Sequence, residues 1–323
     1  MYEPLFLEPV YKDYLWGGDN LKNQYNKHTD ITPIAESWEL CCHKDGESII
    51  INGSHMGQTL KQYLVETPTA VCDTPEKFSE FPLLIKLVDA RQKLSVQVHP
   101  DNAYAMEHEG EQGKTEMWYV VDCEPGAEIL FGFNQIVTRD TFRQSVKDNT
   151  FLDYVKRVLV HPGDVFLVEA TTLHAIGAGI IIAEIQQNSN STYRVYDFGR
   201  VDKEGRQRSL HTEKAIDVAR MTPSESGINP LGQITKTDSC VQTDLARCDY
   251  FDVVRLAIDG EHKVIVLPNG FQHLLVLTAE PGSLIRMGEI TYPITKGCSI
   301  FIPAQTSQYI LAGRMTILHT TLP

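Results

Sequence analysis

The sequence lacks a long apolar run, because nowhere do the roughly 18 apolar residues that a membrane-spanning helix needs follow one another. Its first nine residues also lack the basic start and apolar core of a signal peptide. These absences predict a chain that is neither exported nor inserted into a membrane.

Positive charge is scarce as well. The chain has 29 Lys and Arg residues against 42 Asp and Glu residues, which gives a formal net charge of −13. Such a surface disfavours general binding to nucleic acids or to anionic membranes. An anionic substrate would therefore need a local basic patch.

Cysteine is also sparse, with seven residues in the whole chain and no zinc-finger spacing among them. An odd number of cysteines without a regular framework favours reduced thiols over disulfides. We therefore expect a cytoplasmic protein.

Candidate metal ligands are present in two strand-like runs. Gln97 and His99 lie two positions apart in an alternating segment, so their side chains and that of Ser95 point to one face. Glu116 begins a second apolar run, and His174 follows a turn, a strand and another turn. A lone Gln-x-His pair is more often a hydrogen-bonded surface pair, so the prediction depends on the ordered set of four.

The donor types in this set indicate which metal they suit. Two imidazoles, a carboxylate and an amide oxygen, with room for water or substrate, suit an open catalytic zinc site. Two histidines and a carboxylate alone would also suit iron or manganese. Zinc is the ion that we expect.

The same segments carry a family resemblance. The motifs are residues 97–101 (QVHPD), 113–116 (GKTE), the Pro-Gly-Asp…His segment ending at His174, and 183–194 (AEIQQNSNSTYR). They resemble the short bacterial, zinc-dependent type I mannose-6-phosphate isomerases of the cupin superfamily. Further matches at 14–18, 35–40 and 82–86 extend the resemblance from near the N-terminus to about residue 200.

Short strands dominate the predicted secondary structure. Strands are predicted at 81–89, 93–99, 117–123 and 127–133, in a hairpin-rich antiparallel region. Helical spacing predicts a helix at 57–65 capped by Thr59, an inserted helical pair at 138–146 and 151–159, and a helix at 212–221. Strands are expected again at 164–168, 180–186 and 193–198, and residues 222–232 form the best linker candidate.

An internal repeat relates the two ends of the chain. Glu124-Pro125-Gly126 recurs at 280–282, and the interval from Gly163 to His174 recurs from Gly297 to Gln308. In this alignment Gln272 stands where Glu116 does, and Gln308 where His174 does. The fold class is therefore predicted as mainly β, with two cupin (jelly-roll) barrels. Residues 1–240 would form the catalytic barrel with one metal and helical insertions, and 241–323 a degenerate second barrel.

Several charged residues are candidates for substrate chemistry. Lys114 shares the face of Glu116, and Lys86 lies on a neighbouring strand, so both lysines could meet a sugar phosphate; Ser95 is a further substrate-binding candidate. Arg194 would lie at the barrel mouth, where a guanidinium can bind an oxyanion with two hydrogen bonds, and it resembles the family's catalytic arginine. Lys114, Glu184 and a zinc-bound hydroxide remain alternatives for the base.

Other conspicuous side chains are given structural roles. Trp16, Trp38 and Glu36 are interpreted as core packing. The basic cluster of Arg200, Lys203, Arg206 and Arg208 is interpreted as a solvated loop, with phosphate binding as the alternative.

The resemblance implies reversible isomerisation of mannose 6-phosphate and fructose 6-phosphate through a metal-stabilised enediolate. One alternative is another cupin isomerase or epimerase of a related sugar phosphate. A second is a non-catalytic, metal-dependent sugar-binding cupin, against which Arg194 argues. The sequence contains no glycine-rich phosphate loop, which argues against the fused nucleotidyltransferase form of the family.

Overall fold

The computed structural model describes residues 2–201, 204–223 and 231–323, and these residues are mainly β. The strands are β1 (Leu5–Glu8), β2 (Val10–Lys12), β3 (Glu36–Leu40), β4 (Cys42–His43), β5 (Gly46–Glu47), β6 (Ile49–Ile50), β7 (Leu83–Ala90), β8 (Val96–Val98), β9 (Glu116–Cys123), β10 (Glu128–Phe133), β11 (Val155–Leu159), β12 (Val165–Val168), β13 (His174–Ile176), β14 (Ile180–Gln187), β15 (Tyr193–Tyr196), β16 (Ile234–Lys236), β17 (Cys240–Arg247), β18 (Asp252–Ile265), β19 (Gln272–Ala279), β20 (Leu284–Met287), β21 (Ile290–Pro293), β22 (Ser299–Ile302) and β23 (Gln308–Thr321).

The helices are short and lie between strands. They are α1 (Asn20–Gln24), α2 (Leu60–Glu66), α3 (Asn102–His108), α4 (Arg139–Lys147) and α5 (Thr212–Val218). Among the helices that the structure describes, none has the length and apolar character needed to cross a membrane.

Two antiparallel sheets form the first jelly roll. One has the strand order β12-β9-β14-β7-β3-β2 and the other β11-β10-β13-β8-β15. Trp118 and Phe166 of the first sheet belong to the same buried cluster as Ile129 and Phe131 of the second. The sheets therefore face each other across one apolar core, as in the cupin fold.

The C-terminal sheet repeats this topology. Its order β22-β19-β23-β18-β17 corresponds strand by strand to β12-β9-β14-β7-β3. Glu116 pairs with Val168 and Gln186 in the first sheet, and Gln272 pairs with strands β22 and β23 in the same way. The alignment of Glu116 with Gln272 is therefore confirmed by strand register.

The N-terminus joins the second half of the molecule. Strand β1 pairs with β22, and β6 pairs with β1, so residues near the start of the chain extend the C-terminal sheet. The division at residues 240 and 241 stays a prediction. Residues 224–230 of the predicted linker lie outside the described residues.

The predicted hairpins are wrong, although the strands themselves are confirmed. Strands β7 and β8 lie in different sheets, as do β9 and β10. The turn at residues 124–126 therefore carries the chain from one sheet to the other. Local sequence identifies the turn, but only the packing of the sandwich decides whether the two flanking strands pair or face each other.

The predicted helices are confirmed in part. Thr59 and Gln62 form a capping box at the start of α2, and the Thr138 side chain caps α4. The prediction of a second inserted helix at 151–159 is wrong. Phe151–Tyr154 is a short 3₁₀ helix, and the residues after it form β11. This strand pairs with β10, and its β-branched valines suit a strand.

Candidate metal centre and active site

Three buried side chains converge where β9 and β13 begin and β8 ends. Glu116 begins β9, His174 begins β13 and His99 follows β8 directly. One ligand atom from each lies within 4.8 Å of the others. The Nε2 atoms of the two histidines are 3.1 Å apart, and the Glu116 carboxylate approaches them at 3.4 and 3.7 Å.

Gln97 completes the predicted set of four. It lies opposite His174 in the pairing of β8 with β13, and its amide Nε2 is 3.4 Å from Nε2 of His174. Because the oxygen and nitrogen of an amide can exchange places by rotation, the amide oxygen can take this position. All four predicted ligands therefore come together.

Backbone carbonyls fix the tautomers of both histidines. The Nδ1 atom of His99 is 2.8 Å from the Ser191 carbonyl oxygen, and Nδ1 of His174 is 2.8 Å from that of Thr172. A carbonyl accepts only, so Nδ1 must carry the proton and Nε2 must present its lone pair. Burial lowers the pKa of His99, and it lowers that of His174 to about 4.

The Glu116 carboxylate supports a cation at the same point. Both oxygens are buried without a hydrogen bond, although Nζ of Lys114 lies 2.8 Å from Oε2. Burial raises the pKa of Glu116 to about 7, against the opposing effect of Lys114. An under-coordinated carboxylate and two facing imidazole lone pairs have the donor chemistry of a metal site, so this cluster can bind a metal ion.

Two lysines connect this cluster to further carboxylates. Lys86 lies 3.2 Å from Glu184 and 3.6 Å from Glu36, and Lys114 lies 3.7 Å from Glu184. Cross-strand pairing explains the arrangement, because Glu184 of β14 is opposite Lys86 of β7. Burial would raise the pKa of Glu184, but Lys114 and Lys86 lower it to about 2. Glu184 is therefore ionised at neutral pH.

A cavity of about 290 Å³ adjoins the cluster. The predicted residues Lys86, Ser95, Gln97, Lys114, Glu184 and Arg194 all line it. His99, Glu116 and His174 are not part of the lining, but they contact Gln97 and Lys114, which are. The cluster thus lies directly behind the lining of a cavity large enough for a small polar ligand.

The charge of the cavity wall differs from that of the whole chain. Its cationic side chains are Lys86, Lys114, Arg194 and Arg208, and its carboxylates are Glu36 and Glu184. Although the chain carries a net charge of −13, this surface has a positive excess. It provides the local basic patch that an anionic substrate needs.

Arg194 is held at the edge of this cavity. It lies on β15 opposite Gln97 of β8, and its Nη1 donates to the Ser209 carbonyl at 3.0 Å. Its Nε is buried and has no partner among the described residues. One nitrogen of a positioned guanidinium is thus left for another acceptor.

Two residues interpreted as structural also line the cavity. Glu36 accepts a hydrogen bond from Trp38 Nε1 at 2.6 Å and faces Lys86, so its interpretation as core packing is wrong. Alternation along β3 puts Glu36 and Trp38 on one face, which was the available signal. Trp38 is fully buried, and Trp16 is buried but also reaches the cavity.

The downstream basic cluster divides into different environments. Arg206 is exposed and pairs with Glu204, as expected for a solvated loop, and Lys203 lies outside the described residues. Arg208 lines the cavity and binds Asp197, so the solvated-loop interpretation is wrong for this residue. Sequence spacing gave no signal that distinguished it from Arg206.

The second jelly roll has different side chains at the equivalent positions. Gln272 accepts from the Tyr309 hydroxyl at 2.8 Å and donates to the Ile265 carbonyl at 3.2 Å. Gln308 is exposed. Neither position offers an imidazole or a carboxylate, as the internal repeat predicts.

Known proteins match the chain over nearly its full length. A family model for the catalytic domain of type I phosphomannose isomerase matches residues 5–135, and one for the cupin domain of mannose-6-phosphate isomerase matches 241–322. Mannose-6-phosphate isomerase ManA of Bacillus subtilis (strain 168) is 37% identical over 312 residues, with 96% of each chain covered. The mannose-6-phosphate isomerase of Streptococcus mutans serotype c is 36% identical over 324 residues, with 98% of each covered.

A solved structure agrees with these relatives. The crystal structure of mannose 6-phosphate isomerase from Bacillus subtilis superimposes with a TM-score of 0.91 at 31% identity, covering 99% of both chains. The fold, both family models and the full-length relatives point the same way. The chain therefore belongs to the type I mannose-6-phosphate isomerase family.

Proposed function

We propose that this chain interconverts mannose 6-phosphate and fructose 6-phosphate. The observation that carries the proposal is the pair of neutral histidines whose Nε2 atoms face each other beside Glu116, next to a cavity with a cationic wall. Relatives that share more than a third of their residues with the chain bear this activity in their names.

The metal would be one zinc ion held by Gln97, His99, Glu116 and His174. Two imidazole nitrogens, a carboxylate and an amide oxygen match the open sites that zinc occupies in catalysis. When bound, zinc acts as a Lewis acid toward oxygen atoms of the open-chain sugar. The second jelly roll would serve a structural role, because Gln272 and Gln308 replace the glutamate and a histidine.

The reaction moves a proton between C2 and C1 next to a carbonyl group, so negative charge develops on the oxygens of an enediolate. We assign stabilisation of that charge to Arg194. Its guanidinium is anchored through Ser209, and its Nε has no partner among the described residues, so it can donate to a developing oxyanion. Such preorganised donors contribute more in the transition state than in the ground state.

Proton transfer would fall to Lys114 and Glu184, the ionisable pair between the ligands and the cavity. Lys114 Nζ lies within 3.7 Å of Glu184 and 2.8 Å of Glu116, so it can exchange protons with groups on either side. Lys86 and Ser95 line the same wall and would bind substrate hydroxyl groups. Lys86 also keeps Glu184 ionised, through their contact at 3.2 Å.

One experiment separates this function from its alternatives. The purified chain is assayed for fructose 6-phosphate formation from mannose 6-phosphate, before chelation, after chelation and after zinc is restored. Activity that is lost and then recovered supports the proposal. Turnover of a different sugar phosphate with no mannose 6-phosphate activity would favour another isomerase or epimerase, and ligand binding without turnover would favour a sugar-binding cupin.

A cytoplasmic location is part of the proposal. All seven cysteines are free thiols, as expected in a reducing compartment. Fractionation of cells that express the chain, followed by immunodetection, tests the location.

A further inference from the structure

Two arginines beside the cavity bind one carboxylate, and a third is tied to the same segment. Asp197 is almost buried and accepts from Arg208 through Nε at 2.8 Å and Nη2 at 2.6 Å. It also accepts from Nε of Arg200 at 3.1 Å. Arg194 is tied to the same segment, because its Nη1 donates to the carbonyl of Ser209, the residue after Arg208.

The charges in this group do not balance among the described residues. Three guanidinium groups face one carboxylate, which leaves an excess of about two positive charges, and burial together with Arg208 lowers the pKa of Arg194. A phosphate monoester carries a charge of about −1.5 to −2 at neutral pH and offers three strong acceptor oxygens. The group is therefore complementary to a phosphate in both charge and hydrogen bonding.

The two lysines of the cavity are already paired with carboxylates. Lys114 lies against Glu116 and Glu184, and Lys86 against Glu184 and Glu36. Arg200 donates to Asp197 and to the Lys93 carbonyl, and it does not line the cavity. Arg208 does line it, and its Nη1 makes no hydrogen bond within the described part of the chain.

We propose that Arg208, oriented by Asp197, binds the 6-phosphate of the substrate at the mouth of the cavity. The inference rests on the proposed function, which places C1 and C2 at the metal cluster. Because the phosphate is at the opposite end of the six-carbon chain, it belongs in the part of the cavity away from the cluster. Asp197, which holds Arg208, follows Tyr196 opposite Val96, whereas His99 lies beyond the other end of β8. Asp197 is a positioning residue, since its two-point contact fixes the plane of the guanidinium before substrate arrives.

The test uses mannitol 6-phosphate, the reduced substrate, which cannot isomerise. Its affinity is measured by calorimetry on the zinc-loaded wild-type chain and on the Arg208→Gln variant. Arg206→Gln is the control, because it removes the same positive charge. Arg206 is a suitable control because its side chain is 73% exposed, against 33% for Arg208, and it lies outside the cavity lining. Arg208→Gln should weaken binding on the order of 10- to 100-fold, the scale of a lost charged hydrogen-bonding pair, whereas Arg206→Gln should not.

The accompanying kinetics separate binding from structure. Arg208→Gln should raise KM for mannose 6-phosphate by a similar factor with a smaller change in kcat, and zinc content should stay the same. Asp197→Asn should also raise KM, by less, because Arg208 keeps its charge and loses only its fixed orientation. Should Arg208→Gln misfold, Arg208→Lys tests the same assignment, because lysine keeps the positive charge but lacks the planar pair of donors of a guanidinium.

The outcomes for the two proposals are distinct. A wild-type chain that binds mannitol 6-phosphate but does not turn over mannose 6-phosphate would refute the proposed function and leave the binding comparison intact. Equal affinities for the wild type and a folded Arg208→Gln variant would overturn the assignment of Arg208, as would a wild-type chain that does not bind mannitol 6-phosphate.

Discussion

His99 and His174 direct their Nε2 atoms at each other across 3.1 Å while their Nδ1 atoms are held by backbone carbonyls. Two neutral imidazoles in this arrangement bring lone pairs together, which is unfavourable unless a cation lies between them. The rings are oriented by the loops that contain Thr172 and Ser191. The backbone thus sets the geometry of the metal cluster in advance.

We expect protein purified without chelator to contain one zinc ion per chain. His99→Ala should lose both the metal and the activity, because it removes one of two imidazole ligands. His161→Ala is the matched control, since that side chain is 81% exposed and precedes Val165, at the end of β12 opposite to Val168, which pairs with Glu116. Elemental analysis and the isomerase assay measure both quantities, and an active, metal-free His99→Ala protein would refute the assignment.

Gln272→Ala should destabilise the fold without affecting the metal. The buried Tyr309 hydroxyl donates to Gln272, so the substitution leaves a buried polar group unsatisfied, at a cost of about 1–3 kcal/mol. Gln308 is exposed, and Gln308→Ala should change neither stability nor zinc content. Urea unfolding and elemental analysis of both variants make the comparison, and metal loss in folded Gln308→Ala would show that the wrong jelly roll had been assigned.

The sequence was sufficient to predict that these four side chains lie together, because each of them is defined by local pattern; that they bind zinc stays a prediction. Gln97 and His99 follow strand alternation, and Glu116 and His174 begin strands after recognisable turns. Strand register then confirmed the alignment of Glu116 with Gln272 within the internal repeat. Each of these features depends on a few neighbouring residues.

Features that depend on the packing of distant segments could not be predicted in this way. The turn at residues 124–126 connects facing sheets instead of a hairpin, and Val155–Leu159 becomes a strand because β10 offers it an edge. Arg206 and Arg208 have the same chemistry and nearly the same position in the sequence. Only the folded chain shows that Asp197 holds one of them at the cavity.

Glu184→Gln should change how stability depends on pH. The pKa of Glu184 is lowered from 4.5 to about 2 in the folded chain, so its carboxylate stabilises the fold above pH 4.5 and loses this effect as pH falls toward 2. The variant leaves Lys86 and Lys114 with fewer counter-charges, and breaking such a buried pair costs about 3–5 kcal/mol.

The difference in unfolding free energy between the wild type and Glu184→Gln should therefore be large at pH 7 and shrink between pH 4.5 and pH 2. Denaturant titrations of the chelated proteins measure it without interference from metal release. Glu280→Gln, which removes an exposed carboxylate, serves as the control. A difference that stays constant over this pH range would mean that Glu184 is not ionised in the folded chain.

Arg194→Ala tests the proposed oxyanion donor. Arg194 lies opposite Gln97 but cannot be an ordinary metal ligand, because a guanidinium stays protonated. The variant should keep its fold and its zinc, yet lose kcat by on the order of 10²- to 10³-fold, the effect of removing one preorganised donor. Steady-state kinetics, elemental analysis and circular dichroism measure the three quantities.

Arg194→Lys should recover little of the lost rate, because lysine keeps the charge but not the planar pair of donors that the Ser209 contact orients. A fully active lysine variant would show that only long-range charge matters. If Arg194→Ala instead kept its kcat and raised KM alone, Arg194 would bind substrate and transition state equally well. It would then belong with Arg208 in phosphate recognition, and the stabilisation of the enediolate would have to come from elsewhere in the cavity.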